Sequence, residues 1–118
     1  MESAKEIVGK FLAALGGEDW KGARKCLHEN VSFRGPLDTF EKADSYIDAL
    51  KKLHPIVKKV DMKKMFVDGS DVCILYDLVT NTPAGVSFVA EWFQIRDDKI
   101  ASIRAVFDAR PFAALFGK

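Results

Sequence analysis

The 118-residue chain has little of what would mark several large functional classes. It holds only two cysteines, Cys26 and Cys73, with no metal-ligand spacing around either, so a disulfide-stapled scaffold or a zinc module is not expected. Each cysteine lies in an apolar stretch and reads as a reduced, buried thiol. Four prolines and eight glycines are too few for a disordered or low-complexity segment. No stretch approaches the ~20 consecutive apolar residues of a membrane span, and the N-terminal residues lack the apolar run of a signal peptide. The expectation is a cytoplasmic protein with no membrane partner. A formal net charge of +1 gives no global reason to seek polyanions. Lys51, Lys52, Lys58, Lys59, Lys63 and Lys64 do form a local basic stretch, but no aromatics are interleaved for base stacking, so nucleic acid is not an expected partner. Glycine-rich phosphate loops and nucleotide fingerprints are missing as well. No metal site and no cofactor are expected.

What is present is a chain 48% apolar and 30% charged, long enough for one domain that buries roughly two-thirds of its unfolded surface. Apolar residues Ile7, Val8, Phe11, Leu12 and Leu15 form a helical stripe over residues 3–15. Gly16 and Gly17 supply a left-handed stop. Asp19 caps a second helix with Trp20, Ala23, Cys26 and Leu27 on its buried face, ended by His28. Val31-Ser32-Phe33 reads as a short strand, broken at Gly35-Pro36. A third helix is expected over 39–53, with Ala43, Tyr46, Ile47, Leu50 and Leu53 on one face, and Pro55 forbids its continuation.

Beyond Pro55 the periodicity becomes that of strands at 56–67, 72–82, 85–96 and 99–108, joined by short turns. The expected fold is therefore α+β: three N-terminal helices on the concave face of a curved, mainly antiparallel sheet, in one domain over residues 1–118. Lysines on the first of these strands suit an edge position, where they discourage strand addition by other chains.

A three-residue hairpin loop with Asp98 as its bulge residue places Glu91 opposite Ile103 and Val89 opposite Ala105. Odd positions then share one face, apolar apart from Glu91, which should lie beneath the helices. The other face carries Phe88, Trp92 and Val106. Two large aromatics on an outer sheet face call for a second layer, and a homodimer through that face is expected.

The segments Phe11-Leu12-Ala13-Ala14-Leu15, Glu18-Asp19-Trp20 and Phe33-Arg34-Gly35-Pro36-Leu37, together with residues 90–100 and Val106-Phe107-Asp108, resemble the nuclear transport factor 2-like superfamily. The resemblance is to its SnoaL-like branch of small polyketide-cyclase-type proteins, and it covers nearly the whole chain. It implies a conical pocket between the concave sheet face and the helices.

It does not carry over a known active site. Carried onto this chain, the ketosteroid isomerase base falls on Gly35 and its tyrosine on Phe11, and only its second acid finds a counterpart, at Glu91. Limonene epoxide hydrolase fares similarly: its water-activating aspartate falls on Ala105 and its arginine on or near Leu75, although Asp77 matches the paired acid. Neither mechanism is expected.

Among apolar neighbours, Glu91 would be desolvated, its pKa raised and its carboxyl suited to acid–base work. The plainer alternatives are exposure by strand twist, or pairing with Arg104 or Arg34. Asp77 is a second candidate acid, but a one-residue slip decides whether it or Tyr76 faces Glu91. The expected ligand walls are Phe11, Phe33, Tyr46, Tyr76, Val89, Phe93, Ile103, Ala105 and Phe107. The expected partner is a small apolar ligand. Asp108 caps a final turn, and the apolar segment 112–116 covers either the pocket mouth or a dimer seam.

Overall fold

The computed structural model describes residues 2–116. Its first helix, α1 (Ala4–Gly16), starts at a capping box: Ser3 Oγ accepts from the Glu6 amide while Glu6 Oε1 accepts from the Ser3 amide. Its end corrects the expected glycine stop. Gly17 has φ −92°, and the left-handed residue is Glu18 at φ 56°. The Asp19 amide donates to Ala14 O and the Glu18 amide to Leu15 O. Those are the two bonds of a Schellman motif, which puts the left-handed position one residue beyond the glycine pair.

Helix α2 (Trp20–Lys25) is capped by Asp19, whose carboxylate accepts from the Gly22 amide. It is shorter than expected. Strand β1 (Leu27–Arg34) begins at Leu27 because the chain there pairs in parallel with Ile100. His28 therefore stands on a strand and not at a helix end, with Nε2 2.8 Å from Arg96 O. Residues 39 and 40, expected as the first turn of the third helix, form β2 (Thr39–Phe40), which pairs back on Phe33 and Arg34. Helix α3 (Ala43–Leu53) follows, and a 3-10 turn (His54–Ile56) around Pro55 ends it.

The meander then runs through β3 (Val57–Asp68), β4 (Asp71–Thr80), β5 (Val86–Arg96) and β6 (Lys99–Val106), and α4 (Arg110–Phe116) closes the chain. The six strands form one sheet in the order β2-β1-β6-β5-β4-β3, antiparallel except for β1 against β6. The edge strand β3 presents Lys58, Lys59, Lys63 and Lys64 to solvent. Among the described residues, no helix is long and apolar enough to cross a membrane.

The β5–β6 register differs from the expected one by two residues. Asp97 and Asp98 both have positive φ, 54° and 60°, as a two-residue type I′ turn requires. The extra residue is Ala101, between the pairs Ile95↔Ile100 and Gln94↔Ser102. Glu91 thus faces Ala105, and Phe93 faces Ile103. A shift of two preserves side-chain parity, so Val89, Glu91 and Phe93 are still buried under the helices and Phe88 and Trp92 are exposed on the convex face. The core lies between α1, α3 and the concave sheet, built from Ile7, Val8, Phe11, Ile47, Phe93, Ile100 and Ile103 among others.

Candidate functional site

The site follows from the register of three strands. Thr80 and Gly85 close the β4–β5 connection, with the Thr80 amide donating to Gly85 O at 2.9 Å. Four residues between them keep even numbers opposite odd ones, so Tyr76 pairs with Val89 and Asp77 with Phe88. Tyr76 therefore shares the concave face with Glu91, and Asp77 points the other way. There Asp77 stands 3.7 Å from Lys63 Nζ. As a pocket acid Asp77 is corrected: strand alternation carries it to the convex side.

Tyr76 donates its hydroxyl hydrogen to Glu91 Oε1 at 2.8 Å. Glu91 is only 8% exposed, and its pairing with Arg104 is ruled out by Arg104 lying on the convex face, over the Trp92 ring at 6.0 Å. Burial pushes the Glu91 carboxyl up to about 7, against the smaller downward effect of the Tyr76 hydrogen bond. Burial, together with the neighbouring carboxylate, pushes the Tyr76 phenol far up, and Tyr46 moves the same way for the same reasons. The phenols remain neutral donors, and the acid is the group that changes charge near neutrality.

Two hollows meet at this cluster. The first, about 550 Å³, lies between α3, the turn Gly35 to Asp38, α4 and the floor strands. Phe33, Tyr46, Tyr76, Val89, Glu91, Ala105 and Phe107 all line it, as does Phe112. The buried Phe112 ring meets Phe107 edge-on at 5.6 Å, which places the start of the tail against the hollow. The side chain of Phe116 lies outside the described residues. Asp108 accepts from the Arg110 amide and guanidinium, which hold its carboxyl down at about 2. The second hollow, about 530 Å³, lies between α1, α3 and β3 and takes in Phe11. Tyr46, Leu50, Leu53, Tyr76, Leu78 and Glu91 border both.

Two expected wall residues line neither hollow. Phe93 and Ile103 are fully buried: the Phe11 ring covers Phe93 edge-on at 6.2 Å, and Ile103 is its cross-strand partner. Both belong to the core. Sequence reasoning missed Leu37, Phe40, Ala49 and Leu78 as walls. Leu78 was within reach, since it follows Tyr76 at the strand period of two. Leu37 and Phe40 depend on how the chain folds back between β1 and β2, for which no local signal exists.

The positions that would carry ketosteroid isomerase chemistry are structurally committed to other tasks. A Cβ built at Gly35 comes within 3.1 Å of the Phe33 ring, so a side chain there would require that ring to give way slightly. Phe11 stacks on Tyr46 at 6.5 Å and has no proton to donate. Among the described residues no group of three or more His, Cys, Asp or Glu side chains is placed to hold a metal ion. Burial pushes the Cys26 thiol up, away from thiolate chemistry.

Comparison with known proteins agrees with this fold. A SnoaL-like domain model matches residues 8–103. A nuclear transport factor 2-like protein of unknown function from Cytophaga hutchinsonii is 30% identical, with a TM-score of 0.83 over 95% of this chain and 96% of that one. An LEH-like epoxide hydrolase from M. tuberculosis is 19% identical, covering 98% and 96% at TM-score 0.75. A de novo designed protein with a curved β-sheet, 20% identical, covers 97% and 92% at TM-score 0.81. The last two likenesses concern the fold alone. No curated protein matches the chain. Helices, register and family model converge on one conclusion: the chain belongs to the SnoaL-like family, on a nuclear transport factor 2-like fold.

Proposed function

We propose that this protein binds a small, mainly apolar, uncharged molecule in the first hollow, with Glu91 and Tyr76 as its polar anchor. The observation that carries this reading is one buried carboxyl, hydrogen-bonded to one phenol, on the floor of a mainly apolar cavity whose lining also takes in Asp38, Ser45, Asp48 and Lys52. Ligand sites have this composition: greasy walls for affinity and a few polar groups for orientation. With Tyr76 occupying Oε1, Glu91 keeps Oε2 for the ligand. Protonated, it donates to a carbonyl or ether oxygen; ionised, it accepts from a hydroxyl. Stabilisation in thermal unfolding by terpenoid, steroid or polyketide-like phenolic compounds is the expected result. Loss of that stabilisation in Glu91→Gln, with fold retained, supports the anchor; an unchanged response in the variant overturns it.

A second reading has its own observation. A carboxyl at about 7 is matched to proton transfer near neutrality, which suits an isomerase, cyclase or hydratase using Glu91 alone as acid and base. Such an enzyme would differ from ketosteroid isomerase, given Gly35 and Phe11, and from limonene epoxide hydrolase, given Ala105 and Leu75. Turnover of a bound compound that disappears in Glu91→Gln while binding survives would favour the enzyme.

A further inference from the structure

The two hollows share a roof and a floor. Tyr46, Leu50 and Leu53 border both, and at spacings of four and three they lie on one face of α3. Across from them, Tyr76 and Leu78 of β4 and Glu91 of β5 border both as well. Three leucines meeting across a closed wall would bury one another. Leu50, Leu53 and Leu78 each stay only half-buried, as they would when flanking an opening.

Away from Glu91, both spaces are greasy. On one side stand Val89, Ala105, Phe107 and Phe112; on the other stand Leu12 and Leu15 of α1 with Val60 and Met62 of β3. Val60 pairs with Leu78 and Met62 with Tyr76, so both belong to the concave face, yet they are 50% and 41% exposed. Apolar surface left open on the inner side of a sheet is what an apolar guest covers. The aspartates and lysines that line the two spaces are all exposed, whereas Glu91 is buried where the spaces adjoin. A guest reaching into both therefore meets its buried polar partner at its middle.

We infer that the hollows on either side of α3 are two lobes of one passage beneath that helix, built for a single uncharged guest with an apolar group at each end and a hydrogen-bonding oxygen between them. The inference rests on the Glu91 anchor of the proposed function and adds to it the shape of the guest.

Dicyclohexyl ketone has a ring on each side of its carbonyl, and methyl cyclohexyl ketone has one. Both would be titrated by calorimetry at pH 6, where Glu91, at about 7, is mainly protonated and donates to a carbonyl. The two-ring ketone is expected to bind once per chain, roughly tenfold more tightly than the one-ring ketone. Ala49 borders only the first hollow and Val60 only the second. Ala49→Phe and Val60→Phe should each weaken the two-ring ketone roughly tenfold, and Val60→Phe should leave the one-ring ketone unchanged. Both positions are at least partly exposed, so the variants should keep their fold. If either does not, Trp20 makes the same test, since it borders only the second hollow and Trp92 is the one other tryptophan. In a Trp92→Phe background, the two-ring ketone should shift Trp20 emission and the one-ring ketone should not. Two molecules of the two-ring ketone per chain, its indifference to Val60→Phe, or a silent Trp20 overturns the passage. The proposed function then still stands if the one-ring ketone binds and is lost in Glu91→Gln; failure of both ketones to bind overturns the two together.

Discussion

Glu91 is a carboxyl that the fold prefers to keep protonated, and its thermodynamic consequence has a definite sign. Its ordinary value is 4.5 and its folded value about 7, so between those pH values the folded state holds more of the proton than the unfolded chain. Stability then falls as pH rises through that window and levels off above it. Glutamine accepts the same Tyr76 hydrogen bond but has no charge to bury. Glu91→Gln should therefore be more stable than the parent at pH 8, by about 3 kcal/mol. At pH 4 the margin should vanish. Denaturant melts at the two pH values measure it, and an equal margin at both would refute the assignment of the buried proton to this residue. Tyr76→Phe removes the hydrogen bond that favours the carboxylate and holds the Glu91 pKa down. The Glu91 titration, followed by carboxyl carbon NMR, should move still higher.

At the scale of elements, parity was legible in the sequence and exact pairing was not. Alternation of apolar and polar residues placed Val89, Glu91 and Phe93 on the buried face because period two survives any even shift. The bulge itself carries no such signal. Ala101 is an ordinary strand residue, and the Asp-Asp turn fits either a two-residue or a three-residue loop until both φ angles are known. Likewise β2 was hidden because two residues make no periodic pattern, and Thr39 suits a helix start as well as a strand.

The turn offers a direct check. Asp97 and Asp98 occupy left-handed conformations that cost L-residues roughly 1 kcal/mol each, and Asn-Gly is the favoured pair for a type I′ turn. Replacing Asp97 with Asn and Asp98 with Gly should stabilise the protein by about 1 kcal/mol in urea melts. Were the loop three residues long, with only Asp98 left-handed, the Asp97 substitution would contribute nothing. Asp19→Ala should act oppositely, costing about 1 kcal/mol through the lost cap on α2.

For the whole molecule, fold class and concave core were readable from element order and hydrophobic period, whereas the division of the interior into two hollows was not. That division depends on where α3 crosses the sheet, which is a tertiary fact. The convex face raises a separate expectation. Phe88 is 57% exposed, Trp92 41% and Val106 69%, and they stand on adjacent paired strands, with Ala90 opposite Val106. We propose that two copies pack through this face, since a contiguous apolar patch on a sheet is normally covered. Light scattering after size exclusion at micromolar concentration should give twice the chain mass of 13.2 kDa, and Phe88→Glu should reduce it to that mass. Monomer in both would remove the proposal.

Because one carboxyl borders both hollows, its proton answers to whatever either of them holds. A guest that favours the protonated form takes up a proton as it binds, so its affinity falls as pH rises through about 7. A guest that needs the ionised form gains over the same range.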